Sequence, residues 1–250
     1  MNMRTKRYST ISLLALLLLS SCATGNGVDS EQGIKSEHFV IYAKEERPAT
    51  IEKITYLLET KYAEIRAYFD MEIPVTKVYI YKNQREFQRQ KYGFIADVLK
   101  LDWYIGDNIK DSVYLTSPDT NVKGHSYDGI INAVQHEFVH TVIYRINPKC
   151  KLWMNEGVAL YFSNRDNDKS LLKKTNIPKL KIFETKNPIY FADNGGYQFA
   201  DKFTEFFLKE YGKERLVKMI KAKKYSEISG INDVDLYDNW KNYLVKNYDN

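Results

Sequence analysis

The chain has 250 residues, 44% of them hydrophobic and 28% charged, so it holds enough apolar material to bury a sizeable core. This composition excludes a disordered or collagen-like chain, and two cysteines exclude both a disulfide framework and a cysteine-rich zinc module. The formal net charge of +5 at pH 7 is mildly basic, which at first leaves nucleic acid or an anionic surface open as a partner.

The first 21 residues have the pattern of a bacterial export signal. A positive segment is followed by an apolar run at 11–19, which is too short to cross a bilayer because a spanning helix takes about 20 residues. The run ends in Leu19-Ser20-Ser21-Cys22, which resembles the lipobox of bacterial lipoproteins. The resemblance implies cleavage before Cys22 and a diacylglycerol group on its sulfur. The alternative is an ordinary signal peptide that is cut nearby, with Cys22 incidental.

Removal of residues 1–21 changes the predicted charge and the predicted location. The segment carries three cations (Arg4, Lys6 and Arg7) and no acidic residue, so the net charge falls from +5 to +2 (5 − 3). Nucleic acid thereby loses its compositional support, and we expect no nucleic-acid partner. Lipidated Cys22 would hold the protein in the bacterial cell envelope, outside the cytoplasm. Because Ala23 follows it in place of Asp, the resemblance implies the outer membrane if the cell has one.

The mature chain begins with a predicted tether at 22–35, rich in glycine, aspartate and serine. Beyond it, β-rich runs predict three strands, at Phe39–Tyr42, Val75–Tyr81 and Ser112–Leu115. Apolar residues spaced by three and four predict a long helix from Ile51 to Phe69, preceded by Pro48 and with Thr50 as its N-cap. A shorter helix is predicted at Asn83–Tyr92.

The later part of the chain is predicted to be helical. A loop rich in lysine and aspartate follows Asn164, and Phe199, Phe203 and Phe207 then line one face of a helix that ends at Gly212. The whole pattern predicts an α+β fold built as one catalytic unit. Its first lobe, 36–165, holds a mixed β-sheet and the helix that carries the chemistry, and its second lobe, 166–250, is helical.

That helix, predicted at Asp128–Arg145, contains His136-Glu137-Phe138-Val139-His140, an HExxH sequence. Positions i and i+4 of a helix lie about 40° apart on one face, so both imidazoles can bind one metal ion. Zn²⁺ suits imidazole and carboxylate ligands, and Glu137 lies to the side, where it can take a proton from an attacking water as general base. The opposite face carries apolar residues that predict core packing: Ile131, Val134, Phe138 and Val142.

A second motif, Leu152-Trp153-Met154-Asn155-Glu156-Gly157-Val158-Ala159, places a carboxylate 16 residues after His140. Together the two motifs resemble the gluzincin metallopeptidases, specifically the peptidase-MA-like group, in which HExxH is followed by W-x-x-E-G-x-A. The resemblance implies a zincin-like fold in which one Zn²⁺ per chain is held by His136, His140 and Glu156. Thermolysin-like enzymes carry an aspartate four residues beyond the third ligand, where this chain has Leu160. The group that orients the ligating histidines therefore stays open.

Two further features bear on the predicted site. Related enzymes often have a tyrosine facing the cleft, and Tyr197, in Gly195-Gly196-Tyr197-Gln198, is the candidate donor to an oxyanion. The alternative is a packing role, since the chain has 20 tyrosines. Ser112–Leu115 is a candidate edge strand for pairing with an extended peptide. The aromatic residues of Asp102–Gly106 either shape a pocket or close the core.

These features predict a lipid-anchored, extracytoplasmic zinc metallopeptidase that hydrolyses a protein or peptide substrate through Glu137-assisted attack of water. No acidic cluster that would bind a free amino terminus is evident in the sequence, which favours an endopeptidase. Two alternatives stay open. One is a catalytically silent surface lipoprotein with a zincin fold that acts in binding or assembly. The other is a zinc hydrolase for a non-peptide amide, such as one in the cell wall.

Overall fold

The described part of the chain begins after the predicted export signal. The computed structural model describes residues 33–99, 101–163, 177–222, 226–230 and 232–248. The signal peptide predicted at 1–21, the lipid attachment predicted at Cys22 and the loop predicted after Asn164 lie outside these residues. Ile34 and Lys35, at the end of the predicted tether, form a short strand.

A five-stranded mixed sheet forms the first layer of the protein. Its strands are β1 (Ile34–Lys35), β2 (Phe39–Ala43), β3 (Thr76–Tyr81), β4 (Gly106–Ile109) and β5 (Ser112–Thr116). Their order in the sheet is β1-β2-β3-β5-β4. β2, β3 and β5 run parallel, whereas β1 and β4 pair antiparallel with their neighbours. The three predicted strands are confirmed, and so is the α+β class.

The residues that the structure describes form ten α-helices. They are α1 (Pro48–Phe69), α2 (Gln84–Tyr92), α3 (Ala96–Leu99), α4 (Tyr127–Ile146), α5 (Leu152–Phe162), α6 (Leu180–Glu184), α7 (Pro188–Asp193), α8 (Gly196–Lys221), α9 (Ser226–Ser229) and α10 (Asp233–Tyr248). A 3₁₀ turn, Gly93–Ile95, links α2 to α3. None of the helices in the described ranges has both the length and the apolar composition of a membrane span.

The sheet is covered on both faces, as expected for parallel strands. On one face Phe39, Ile41 and Leu115 are at most 1% exposed and belong to the main core, which α1 and α4 complete. The other face carries a second cluster that combines tyrosines with Phe87 of α2. Alternate residues of each strand supply these two faces, which explains why the strands are almost continuously apolar.

One edge strand of the sheet is β4, not the predicted strand at Ser112–Leu115. Ser112–Leu115 was expected to be an edge strand, but β5 lies between β3 and β4. The edge next to the candidate site is β4, where Gly106 pairs with Leu115 and Asn108 with Val113. β4 escaped prediction because Gly-Asp-Asn-Ile has little intrinsic strand propensity, so its extended form depends on pairing with β5.

The first helix begins earlier than predicted. α1 starts at Pro48, with Arg47 in the N-cap position and the proline ring in the first turn, where no backbone N–H is needed. The prediction of Thr50 as N-cap is therefore wrong. Thr50 is buried, and its hydroxyl donates to Asp119 Oδ1 at 2.9 Å and also lies 2.9 Å from the Tyr127 hydroxyl. Thr50 thus ties α1 to the segment that leads into α4.

Aromatic packing joins the helices of the second layer. The Trp153 ring of α5 lies 3.8 Å from the Phe203 ring of α8, which in turn lies 6.0 Å from Trp240 of α10. Gly212 interrupts α8 with a φ of 79°, a left-handed value that favours glycine. The expected break at this residue is confirmed, but the chain resumes a helical course up to Lys221.

Candidate metal centre

α4 crosses the middle of the protein and carries the two histidines of the HExxH sequence. Its first turn is capped by Ser126, whose hydroxyl accepts a hydrogen bond from the Gly129 N–H at 3.0 Å. Phe138 is fully buried on the face opposite the histidines, with its ring 5.1 Å from that of Phe39. Because this packing fixes the rotation of the helix about its axis, His136 and His140 both face away from the sheet core.

Three predicted metal ligands converge at one buried point. His136, His140 and Glu156 each offer one ligand atom, and all three atoms lie within 4.8 Å of one another. Glu156 Oε2 is 3.5 Å from Nε2 of each histidine, and the two Nε2 atoms are 3.0 Å apart. Tetrahedral ligands about 2.0–2.1 Å from a zinc ion lie about 3.3 Å from one another. The spacing of this donor set therefore fits a metal ion of that size.

Glu156 reaches the histidines because α5 packs closely against α8. Gly157, the next residue, lies so near the α8 backbone that a Cβ there would be 2.4 Å from the Ala200 carbonyl oxygen. Trp153, one turn earlier, is buried between Phe183 and Phe203. The glycine and the tryptophan of the second motif therefore set the position of the helix that carries the third ligand.

Asn155 orients one of the histidines, a role that had no candidate in the sequence. The His140 Nδ1–H donates to Asn155 Oδ1 at 3.0 Å, so Nε2 of the same ring is turned towards Glu156. This is the role usually filled by an outer carboxylate or carbonyl, which fixes the tautomer and the ring plane. Asn155 lies directly before Glu156 within the second motif, yet its role depends on how α5 crosses α4.

The negative charge of Glu156 and the positive charges of the protonated histidines stabilise one another. Burial by itself would raise the pKa of Glu156, but the adjacent imidazoles of His140 and His136 lower it well below its ordinary value. Burial opposes a positive charge on His140, but Glu156 outweighs this effect and raises the pKa of His140 to about 9. The carboxylate is therefore ionised and ready to act as a ligand. A metal ion that binds here competes with protons for the imidazoles, so its affinity must fall at low pH.

Glu137 lies beside the ligands and against the edge strand. Its side chain is 8% exposed, and a Cβ placed on Gly106 of β4 would lie 3.0 Å from Glu137 Cγ and Oε1. A side chain at position 106 would therefore shift Glu137 slightly from this position. No sequence signal singles out Gly106, because its role arises from the packing of β4 against α4.

The predicted residues line one open cleft with a volume of about 430 Å³. His136, His140, Glu137 and Glu156 form its floor, and Tyr197 contributes to its wall. Tyr197 stands in the first turn of α8 and is half-buried, with its ring 5.1 Å from that of Phe191. Burial raises the pKa of the Tyr197 hydroxyl, and the carboxylates of Glu156 and Glu137 raise it further. The hydroxyl therefore stays protonated and can donate a hydrogen bond.

A polar group without a sequence signature also lines the cleft. Asp107 Oδ2 accepts from Lys91 Nζ at 2.6 Å and from the Tyr104 hydroxyl at 2.5 Å. Burial by itself lowers the pKa of Lys91, but Asp107 outweighs burial and raises it. The three residues come from α2, β4 and the loop between them, and each lines the cleft. Tyr104 is buried, whereas Trp103 is 53% exposed at the rim, so the aromatic pair predicted here serves both core and pocket.

Comparison with known proteins gives no information on the site, so its geometry is the evidence for what it can do. No family model and no curated protein matches the chain. The residues themselves form a buried His-His-Glu group that could hold a metal ion, with a carboxylate beside it and an open cleft above it.

Proposed function

We propose that the protein is a zinc-dependent metallopeptidase of the gluzincin type, with a zincin-like fold. One observation carries the proposal: His136, His140 and Glu156 converge on a point that fits a zinc ion, and Glu137 lies next to them in an open cleft. A site that only stored metal would not need a carboxylate beside the ligands or a cleft large enough for substrate.

Each cleft residue has a task in peptide hydrolysis. Zinc, when bound by the three ligands, supplies Lewis acidity towards a substrate carbonyl and the attacking water. Glu137 accepts the proton of that water as general base and returns it to the leaving amine nitrogen. The protonated hydroxyl of Tyr197 donates to the oxygen that becomes negative as the carbonyl is attacked. Asn155 holds His140 in the tautomer whose Nε2 can act as a ligand.

A peptide substrate suits the shape of the cleft. β4 ends the sheet, and Gly106, Asp107 and Asn108 of this strand line the cleft. An extended peptide can pair with the outer edge of β4, which would carry its scissile bond past Glu137. The peptide-pairing strand that was expected at Ser112–Leu115 is in this proposal β4.

The decisive experiment uses the predicted mature chain, residues 22–250, with Cys22→Ser to keep it free of lipid. We expect about one zinc per chain by elemental analysis and cleavage within a broad peptide library. Glu137→Gln should abolish cleavage while zinc is retained, because it removes the base and keeps the shape. Glu52→Gln, on the exposed side of α1, is the matched control and should change neither.

The outcomes distinguish the proposed function from the two alternative functions. Zinc binding without cleavage of any peptide would favour the catalytically silent binding lipoprotein. Cleavage of a cell-wall amide alone would favour the non-peptide hydrolase. Cleavage that survives Glu137→Gln would contradict the assigned mechanism.

We also propose that Cys22 carries a lipid that anchors the protein in the bacterial cell envelope, facing away from the cytoplasm. The supporting observation is the sequence Leu19-Ser20-Ser21-Cys22 at the end of an apolar run. Expression of the full chain in a bacterium supplied with an alkyne fatty acid should label it, and Cys22→Ala should abolish the label. Equal labelling of both chains would contradict the proposal.

A further inference from the structure

An exposed apolar surface stands beside the mouth of the cleft. Phe94 is 85% exposed, Val98 78%, Trp103 53% and Ile95 44%, and all four lie within ten residues that follow α2. We name these four side chains the apolar tip. Other exposed large apolar residues of the described chain are far apart in sequence: Ile34, Tyr56, Val75, Tyr161, Ile189 and Val234. Four exposed large apolar side chains within ten residues indicate a contact surface, whereas scattered residues need no explanation.

Polar contacts with α2 hold the tip in place. Asp97, between Ile95 and Val98, accepts hydrogen bonds from Arg85 at 2.8 Å and from Arg89 at 2.5 Å. Gln88 of α2 donates from Nε2 to the Leu101 carbonyl at 2.7 Å, which fixes the far end of the segment. The apolar side chains therefore project from a backbone that is bound to α2 at both ends.

Basic side chains lie beside the tip and outnumber the acidic ones, although Arg85 and Arg89 share an ion pair with Asp97 and Lys82 pairs with Glu45. The Arg89 guanidinium lies 5.8 Å from the centre of the Phe94 ring, and Arg89 also lines a neighbouring hollow of about 340 Å³. Lys44 and Lys82 line the same hollow, together with Glu86. Arg85 is 66% exposed at the side-chain level. Aromatic and aliphatic side chains that project between arginines and lysines match the headgroup region of an anionic bilayer.

The predicted lipid anchor is close enough to bring this surface to a membrane. Gly33 lies eleven positions after Cys22, and an extended chain spans about 3.5 Å per residue, so the two lie within about 40 Å. Gly33 precedes β1 at one edge of the sheet, four strands from β4, which corresponds to about 20 Å. The anchor and the tip can therefore reach one bilayer together. The joint approach of the anchor and the tip to one bilayer depends on the proposed lipid attachment at Cys22. The observations on the tip and on the charged residues beside it do not depend on that attachment.

We propose that the apolar tip docks into the interface of an anionic membrane, with Arg85, Arg89 and Lys82 at the level of the headgroups. Trp103 belongs both to the tip and to the rim of the cleft. Docking therefore brings the cleft mouth to the membrane surface. If the protein is the proposed peptidase, its substrate class is peptide segments that lie at or emerge from that surface.

The tryptophans make the test direct. The chain has three, and Trp153 and Trp240 are 3% and 0% exposed, so a response to lipid reports on Trp103. Zinc-loaded chain 22–250 with Cys22→Ser is mixed with vesicles of phosphatidylcholine alone or together with phosphatidylglycerol. We expect a shift of Trp103 emission to shorter wavelength and quenching by brominated acyl chains, both stronger with phosphatidylglycerol.

A double variant and a matched control localise the effect. Phe94→Ser with Val98→Ser should weaken partitioning on the order of tenfold, because two apolar side chains no longer leave water. Tyr56→Ser with Val234→Ser removes two exposed apolar groups elsewhere and should leave binding unchanged. Zinc content of every variant confirms that the fold is retained.

Two results would overturn the proposal. If the emission wavelength of Trp103 does not change with either kind of vesicle, docking is excluded. Light scattering that reveals self-association, lost in the tip variant, would assign the surface to a second copy of the chain. The readout does not depend on turnover. A chain that docks but never cleaves would therefore defeat the proposed peptidase and leave the docking surface standing.

Discussion

The crossing of α5 and α8 at Gly157 allows a quantitative test of the fold around the metal centre. A Cβ at Gly157 would lie 2.4 Å from the Ala200 carbonyl oxygen and 2.8 Å from Thr204 Oγ1. The first distance falls 1.0 Å short of the 3.4 Å at which ordinary contact begins. A backbone oxygen cannot rotate away, so Gly157→Ala must separate the two helices.

The expected loss of stability combines two opposing effects. Alanine is better than glycine in a helix by about 1 kcal/mol. Overpacking in a rigid core costs about 1–3 kcal/mol, and a clash with backbone lies at or above the upper end of that range. We therefore expect Gly157→Ala to lower the free energy of unfolding by about 2 kcal/mol. Zinc should also bind more weakly, because Glu156 moves together with α5.

Urea unfolding of chain 22–250, followed by circular dichroism, measures the change. Gly129→Ala is the matched control: its Cβ would meet only the N-cap hydroxyl of Ser126, at 3.1 Å, and the preference of about 1 kcal/mol for alanine in a helix offsets the strain on that cap. We expect that variant to unfold within about 0.5 kcal/mol of the parent. If Gly157→Ala were as stable as the parent and held zinc equally well, the close crossing of α5 and α8 would be refuted.

Three further substitutions test the surroundings of the site. Gly106→Ala should lower kcat by roughly three- to tenfold with zinc content unchanged, because the new methyl group shifts Glu137; unchanged kcat would contradict the contact. Asn155→Ala should weaken zinc binding by about 10- to 100-fold in a chelator competition, since His140 loses its partner; equal affinity would show that another group orients the ring. Lys61→Met should lower the free energy of unfolding by about 1–2 kcal/mol in urea. The buried Lys61 ammonium donates to the Phe162 carbonyl at 2.5 Å, and an unaltered midpoint would mean that water replaces it.

The elements that the sequence predicted are those whose apolar pattern is local. α1 and α4 repeat apolar residues every three or four positions, and β3 is a continuous β-rich run. β4 was missed because its four residues carry no such pattern and become a strand through β5. The true start of α1 was missed because Pro48 and Thr50 are both acceptable near a helix start, and contacts to Asp119 decide between them.

The same distinction holds for the site. The ligand residues stand at fixed spacings inside two consecutive helices, so residue type and spacing alone are enough to indicate a metal site. Asn155 belongs to the second motif, but the sequence does not indicate that it contacts His140, because this contact depends on the angle between α4 and α5. Lys91, Tyr104 and Asp107 come from separate segments, and nothing in the unfolded chain relates them.

The placement of the ligands along the chain influences the order in which the site assembles. His136, His140 and Glu156 all lie within one helical hairpin, whereas Tyr197 of the cleft wall joins from 41 residues beyond Glu156 (197 − 156). Closing a short loop costs less entropy than closing a long one, so the three predicted ligands approach one another at a lower entropic cost than Tyr197 approaches them. Even so, because Gly157 and Trp153 of α5 pack against α8, which also carries Tyr197, we expect the metal site and the cleft wall to be completed together. A chain in which α8 has not yet packed against α5 would then lack both the complete metal site and the wall of the cleft.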